Sequence, residues 1–478
     1  MSRSASWPLE NATHCVAKVM WSSEMTTFIA KATELSDRFD PKYVLFARRS
    51  ASFRYPAVRL GTLLSEPTEY GAAEAGVERT LESQPRYIRI TDIDENGMLL
   101  SGLGATAENI DPAYFLSDGD LLFARSGNTV GKTYLHEEKR VDYPCFYAGY
   151  LIRFRFSDAV LSKYVFAFTQ TPYYREWVSA IQRAAGQPNI NAQEYRSLEI
   201  PLPPQSVQRE VVAELDAAYA AKRAADERTA KLLASIDDMV LQELGIARLP
   251  KPDISLAARM FTVPAAEVNG GRFDPMAYQR ELRDFYAHVR RGKYDAHSLR
   301  NVVDIDRRQT DTLEGLTYVG LENIDGTDGS YVATEEKETV SSAVLFRPGT
   351  ILFPKLRPYL NKAWLSNFSG AASTEFFPLI PFGVVSEYLI TYLRLAIVAK
   401  VMTMLKTGNT LPRVQLEDVL ALPVPVPPLP VQERIASKAS EIRAEARKLK
   451  ESARVSLEAA KLKIEKRILI DEQSNSRC

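Results

Sequence analysis

The residues most suggestive of chemistry lie in Ser126-Gly127-Asn128-Thr129-Val130-Gly131-Lys132-Thr133. A glycine-rich loop ending in Lys-Thr can cradle phosphates on its backbone N–H groups, with the lysine on the charged oxygens. That pattern needs a glycine five residues before the second glycine. Ser126 stands there, and the glycine comes one place late at Gly127. It also needs a helix to follow, whose N-terminus holds the anion. Tyr134 to Phe156 is instead aromatic, β-branched and broken by turns, which predicts strand. Nucleotide binding is therefore not expected. Metal chemistry has no better foothold: His14, His136, His288 and His297 lack the spacing of a ligand pair, and Cys15, Cys145 and Cys478 form no CxxC.

Two further motifs fail in the same way. Asp111-Pro112-Ala113-Tyr114 is one residue from the Asp-Pro-Pro-Tyr of amino-methyltransferases, but no glycine-rich cofactor loop accompanies it, so a helix cap or turn is expected. Glu335-Glu336-Lys337 faintly resembles a nuclease carboxylate–lysine motif and reads more simply as a solvated charge run. With no anchoring constellation, the expectation is a non-enzyme that binds no metal or cofactor of its own. The 478 residues suit two to four domains, and 45% apolar with 25% charged residues is an ordinary globular balance. Sixty Lys+Arg against sixty Asp+Glu give no overall basic excess to argue for nucleic acid. Three cysteines fit a reducing compartment. Glu10, His14 and Lys18 interrupt any signal-peptide core, and no run of about 18 apolar residues occurs, so a soluble, cytoplasmic chain without a membrane partner is expected.

The chain contains itself twice. Arg38-Phe39-Asp40-Pro41 recurs as Arg272-Phe273-Asp274-Pro275, and Tyr87–Asp94 (YIRITDID) matches Tyr318–Asp325 (YVGLENID). Gly119-Asp-Leu-Leu-Phe123 matches Gly349-Thr-Ile-Leu-Phe353, and Ile200-Pro-Leu-Pro-Pro204 with Val207-Gln208 matches Val424-Pro-Val-Pro-Pro428 with Val431-Gln432. The offsets drift only from 234 to 224, so four matches in order imply a duplicated unit of about half the chain.

Each unit mixes short β-like runs with helical stretches. The former include Tyr87–Ile93, Asp120–Arg125, Tyr150–Phe156, Thr350–Lys355 and Glu375–Ile380. Asp40-Pro41 and Asp274-Pro275 read as helix N-caps followed by proline. A proline-rich joint follows, then a long helix. In the first helix Val211, Leu215, Ala218, Lys222, Ala225, Thr229, Leu232, Ile236 and Met239 follow the alternating 4,3 spacing of a coiled-coil seam, with Gly245 as its stop. Ile435, Ala439, Ile442, Ala446, Leu449, Ala453, Leu457, Ala460 and Ile464 do the same in the second. Residues 205–244 carry net −3 and residues 430–470 net +5, which favours pairing with each other over pairing with copies of themselves. The fold expected is α+β: two similar α/β domains separated by an antiparallel coiled coil, with a pseudo-twofold repeat. The boundaries are 1–204 (first domain), 205–246 (first helix), 247–428 (second domain) and 429–471 (second helix).

These motifs identify a family resemblance. Gly119–Thr133, then Gln187-Pro188-Asn189-Ile190, then Ile200–Pro204 with Val207-Gln208, resembles the specificity subunit of type I restriction–modification systems. The second set is Gly349–Lys362, Ser373-Thr374-Glu375-Phe376, then Val424–Gln432. The resemblance runs from about Phe39 to Leu469 and omits the first ~25 residues. It implies that each globular part is a target-recognition domain reading one half of a bipartite site in double-stranded DNA. The helices would set the half-site spacing and dock two adenine methyltransferase subunits, with two restriction (translocase) subunits joining through them. Catalysis, S-adenosylmethionine and ATP would then belong to those partners. A coiled-coil scaffold with no DNA role is the competing reading.

Base reading draws on Arg or Lys for guanine and Asn or Gln for adenine, while phosphates take cations and backbone N–H groups. Arg86, Arg89, Arg125, Ser126, Asn128 and Lys132 are the candidates in the first domain, and Lys355, Arg357, Tyr359, Asn361 and Lys362 in the second. The candidate spacer residues are Val211, Leu215, Leu232, Ile236, Ile435, Ile442, Leu449 and Leu457. A helix of ~40 residues spans ~60 Å, which caps the half-site separation at roughly 18 base pairs.

Overall fold

A computed structural model describes residues 53–182, 188–249, 275–334, 339–408 and 410–469, the strands His14–Trp21 and Glu24–Lys31, and a few residues between these. Asp40-Pro41, Arg272-Phe273-Asp274, Gln187, Glu335-Glu336-Lys337 and Cys478 lie outside the described residues. By packing, the chain divides into two compact units: Met1–Arg223 with Ala453–Cys478, and Ala224–Ser452. Each unit therefore owns part of both long helices, which the boundaries read from sequence treated as separate bodies.

In the first unit, Leu121–Ala124 lies between Leu151–Phe154 and Thr133–Leu135 in an antiparallel sheet that Glu69–Tyr70 extends. All four residues of Leu121–Ala124 are buried, as a continuous apolar run requires when both faces are covered. A second sheet runs Cys145–Tyr147, Arg86–Ile88, Ala105–Thr106, Val77–Glu78, its first pair parallel. In the second unit, Ile351–Pro354 lies between Phe376–Pro381 and Trp364–Leu365, with Val303–Ile305 at the edge. A second sheet there pairs Tyr318–Val319 parallel with Gly370–Ser373.

The expected strand at Tyr87–Ile93 stops early. Arg86–Ile88 is strand and Ile90–Asp92 is a 3-10 turn, because the Asp92 carboxylate accepts from the Arg89 N–H at 2.9 Å and bends the chain. The matching motif bends likewise, with the Asn323 side chain accepting from the Gly320 N–H at 2.8 Å.

The proline joints explain why Val-Gln recurs after them. Gln208, 1% exposed, donates to the Pro203 carbonyl at 2.9 Å and accepts from the Leu161 N–H at 2.9 Å. Gln432, 2% exposed, makes the same two bonds, to Pro427 and from Val385, at 2.8 Å each. Tyr164 and Tyr388 donate to the Pro201 and Pro425 carbonyls. One buried amide thus satisfies two backbone groups that the prolines and a helix start would otherwise leave orphaned.

The long helices run Gln205–Leu244 and Leu429–Ile468. Gly245, at φ 63°, ends the first, with the Ile246 N–H reaching back to the Leu241 carbonyl and that of Gly245 to Gln242. In the first unit Val211, Leu215, Leu457 and Ile464 join the domain core, and Glu210 and Glu214 meet Arg467 and Lys463. In the second, Ile236 and Ile435 join the core, half-buried Ile442 packs against it, and Glu243 takes Arg434 and Lys438 at 2.8 and 3.0 Å. Leu232 and Leu449 are half-buried. Within each unit the partners descend along one helix as they rise along the other, so the segments are antiparallel. Acidic residues come mostly from the first helix and basic ones from the second, matching the charge contrast read from sequence. Such exposed pairs serve register more than stability.

Among the described histidines, His136 is buried against the Tyr134 hydroxyl at 3.2 Å. Burial pushes the imidazole below its ordinary range despite the pull of Asp120, Glu138 and other nearby carboxylates. A depressed folded pKa means stability that is fully present above the unfolded value of ~6.5 and is lost as pH falls. Melting temperature should therefore drop between about pH 7 and 5 by more in the wild type than in His136→Gln, which has no imidazole to protonate; identical slopes would refute it.

Candidate nucleic-acid interface

Gly131-Lys132-Thr133 opens a strand, Thr133–Leu135, and not a helix, so the loop cannot serve as a phosphate-holding helix N-terminus. Asp111 caps the 3-10 turn Pro112–Tyr114 by accepting from the Ala113 N–H. Among the described residues no cluster of His, Cys, Asp and Glu could hold a metal ion.

What the loop does is shared by both units. In the first, Gly127 and Gly131 take left-handed φ values of 75° and 87° around a 3-10 turn. In the second, Arg357 and Asn361 take φ 49° and 50° around the 3-10 turn Pro358–Leu360, at the same offset of 230. Each loop is braced by a second segment. Gly127 N–H donates to the Pro188 carbonyl at 3.0 Å, Ser126 pairs with Asn189, and Ile190 N–H donates to the Arg125 carbonyl. Arg357 N–H donates to Pro412 at 2.8 Å, Leu356 pairs with Arg413, and Val414 N–H donates to Lys355. The counterpart of Pro188–Ile190 in the second unit is therefore Pro412–Val414, which shares only its proline with it. Ser373–Phe376 instead leads into the strand Phe376–Pro381.

The sequence-predicted contacts separate by what already holds them. Arg86 is 3% exposed, with two guanidinium nitrogens on the Tyr143 hydroxyl and the Leu100 carbonyl. It lies on a strand whose three residues are all buried, so its guanidinium supports the fold and is not offered at the surface. Arg89 is clamped by both carboxylate oxygens of Asp92 at 3.0 Å. Lys132 reaches Glu95 at 2.6 Å, and Lys362 donates to the Leu321 carbonyl at 2.7 Å, so each ties its loop to the neighbouring 3-10 region. Lys355 donates to the Thr374 carbonyl and lies 4.7 Å over Phe377, where burial lowers its pKa. Asn361 donates to the Arg394 carbonyl.

Arg125, Ser126, Asn128, Arg357 and Tyr359 remain at or near the surface. The Arg125 guanidinium stacks 4.8 Å over Tyr70, while its buried Nε has no hydrogen-bond partner. Tyr359, 49% exposed, carries Lys406 at 5.7 Å from its ring. Tyr70, Tyr150 and Lys406 were not candidates from sequence. Tyr150 follows a turn glycine and is 63% exposed. Such mixtures of guanidinium, amide and exposed aromatic suit base edges and sugar–phosphate, which offer acceptors and flat π-faces.

Each of the two mixed α/β units carries a braced cationic loop and a share of both long helices. No protein-family model matches the sequence. The chain is 27% identical over 126 residues to the type I restriction enzyme EcoDI specificity subunit of Escherichia coli, a match covering 26% of this chain and 28% of that relative's length. Solved structures similar to it include one described for complex assembly and conformational transition of the type I R-M system, at 17% identity, 87% and 97% coverage of the two chains and a TM-score of 0.45. The HsdS subunit from Thermoanaerobacter tengcongensis aligns at 16% identity, 87% and 96% coverage and TM-score 0.32. The type I S subunit from M. genitalium aligns at 12%, 88% and 97%, and 0.39. The chain is thus similar to specificity subunits of type I restriction–modification systems, as its motifs imply.

Proposed function

We propose that this chain is the DNA-reading, non-catalytic subunit of a type I restriction–modification complex. Each unit reads one half of a bipartite duplex site, and the two long helices pair as an antiparallel coiled coil that sets the distance between halves. The observation that carries this is the recurrence, at offsets of 230 and 224, of the same braced loop and the same proline-to-helix joint. Bipartite recognition needs two equivalent readers on equivalent mounts, and an internal duplication supplies them. The helices also dock two methyltransferase subunits and, through them, restriction subunits; S-adenosylmethionine and ATP bind those partners in the cytoplasm. No helix of the described residues is long and apolar enough to cross a membrane.

Methylome sequencing of a host expressing the chain with its methyltransferase should show a methyl-adenine motif of two short blocks separated by a fixed gap. Affinity of the purified chain for that duplex should fall linearly with log salt concentration, since phosphate contacts release counterions. A methylome unaltered by deleting this chain would refute the proposal.

A further inference from the structure

We infer that Arg357 is the residue through which the second unit discriminates guanine in its half-site. The inference rests on the DNA-reading proposal and goes beyond it. Three observations converge on this side chain. Arg357 occupies a left-handed backbone position at φ 49°, where the first unit has Gly127 at φ 75°. Glycine enters that region without strain and arginine does not, so the position bears a conformational cost that its counterpart avoids. Retained strain of this kind marks positions where the side chain itself is needed.

The side chain is also available. Lys355 and Lys362 of the same loop are spent on carbonyls at 2.6 and 2.7 Å, and the Asn361 amide on a third at 2.8 Å. Arg357 is exposed, and among the described residues its guanidinium has no hydrogen-bond or ion-pair partner. The mount, finally, is rigid. Arg357 N–H is fixed to Pro412, its carbonyl accepts from Leu360 N–H at 2.9 Å, and the bracing segment is locked by Arg413 on both carboxylate oxygens of Glu375. A guanidinium held on a fixed backbone can present two parallel donors to guanine O6 and N7 in the major groove, the commonest specific contact to a base. Exposed Tyr359 beside it, with Lys406 over the ring, offers a face to the adjoining sugar or methyl group.

The test compares the full wild-type chain with Arg357→Gly and Arg357→Lys, each selecting from a pool of duplexes randomised over both half-sites. Arg357→Gly installs the residue the first unit already uses, so its melting temperature should equal or exceed the wild type, and loss of recognition cannot be blamed on unfolding. It should keep one half of the consensus and lose the guanine preference in the other by roughly tenfold to a hundredfold. Arg357→Lys keeps the charge but not the fork, and should lose most of the same preference while retaining overall affinity. A consensus unchanged in Arg357→Gly overturns the inference and leaves the DNA-reading proposal standing. A wild-type chain that selects no consensus overturns both.

Discussion

Gly131→Asn will unfold the first unit at a temperature roughly 2–12 °C below the wild type, an effect expected from one side chain in a confined place. Gly131 is left-handed at φ 87°, and a Cβ there would lie 2.6 Å from Val178 Cγ1 and 2.7 Å from Cγ2. Its backbone cannot retreat. The N–H donates to the Ala124 carbonyl at 3.0 Å with the Tyr195 hydroxyl at 3.2 Å, and the carbonyl accepts from the Tyr174 hydroxyl at 2.9 Å. Both tyrosines are fully buried. Overpacking in such surroundings costs about 1–3 kcal/mol, and each kcal/mol moves the transition of a domain this size by about 2–4 °C. Asparagine is chosen because it tolerates the left-handed region, as Asn361 does at the equivalent position. The loss then reports chiefly the collision with Val178, to which the left-handed angle adds. Adding Val178→Ala should recover part of it, and Asn361→Gly in the second unit should change stability by less than about 1 kcal/mol. A scanning-calorimetry profile unchanged by Gly131→Asn would show that the loop repacks freely.

The repeat was legible because four motifs recur in one order, and the structure gives two of them a physical reason. Gln208 and Gln432 are buried clips, and Asp92 and Asn323 are turn-makers. The loop's failure as a phosphate cradle was equally legible, since Tyr134 onward reads as strand. What escaped was the direction of side chains. Arg86 immediately precedes one β-like run and Arg125 ends another, yet one is buried in a sheet whose flanking residues are also inside, and the other stacks on Tyr70 from a distant strand. Spacing in sequence cannot distinguish them, because no alternation marks a strand buried on both faces. Leu411–Val414 escaped for a related reason. Its likeness to Pro188–Ile190 lies in the backbone bonds it gives the loop, with a single proline as the shared letter.

On the proposed function, removing one heptad from both long helices will shorten the gap of the recognised sequence by about three base pairs. Seven residues are close to two helical turns, so each apolar seam keeps its face to within ~20° while the helix loses about 10 Å. At 3.4 Å per step that length is three base pairs. The ion pairs make the requirement for equal deletions specific. Glu214 meets Lys463 in the first unit and Glu243 meets Arg434 in the second, with Arg228 near Glu445 at 3.6 Å. Cutting one helix alone leaves one of these sets out of register with its partner segment. Single deletions should therefore abolish sequence-specific binding, and paired deletions should restore it at the shorter spacing. A paired deletion of five residues is the control: it turns each seam by ~140° and should fail like the single cuts. Three base pairs also rotate one half-site by roughly 100° about the duplex axis, so the restored affinity should be weaker than the wild type unless the DNA twists to meet it. Selection from a duplex pool with variable gaps reads the spacing directly. If the paired heptad deletion selects the wild-type gap, the helices do not set the distance, and spacing must come from the domains.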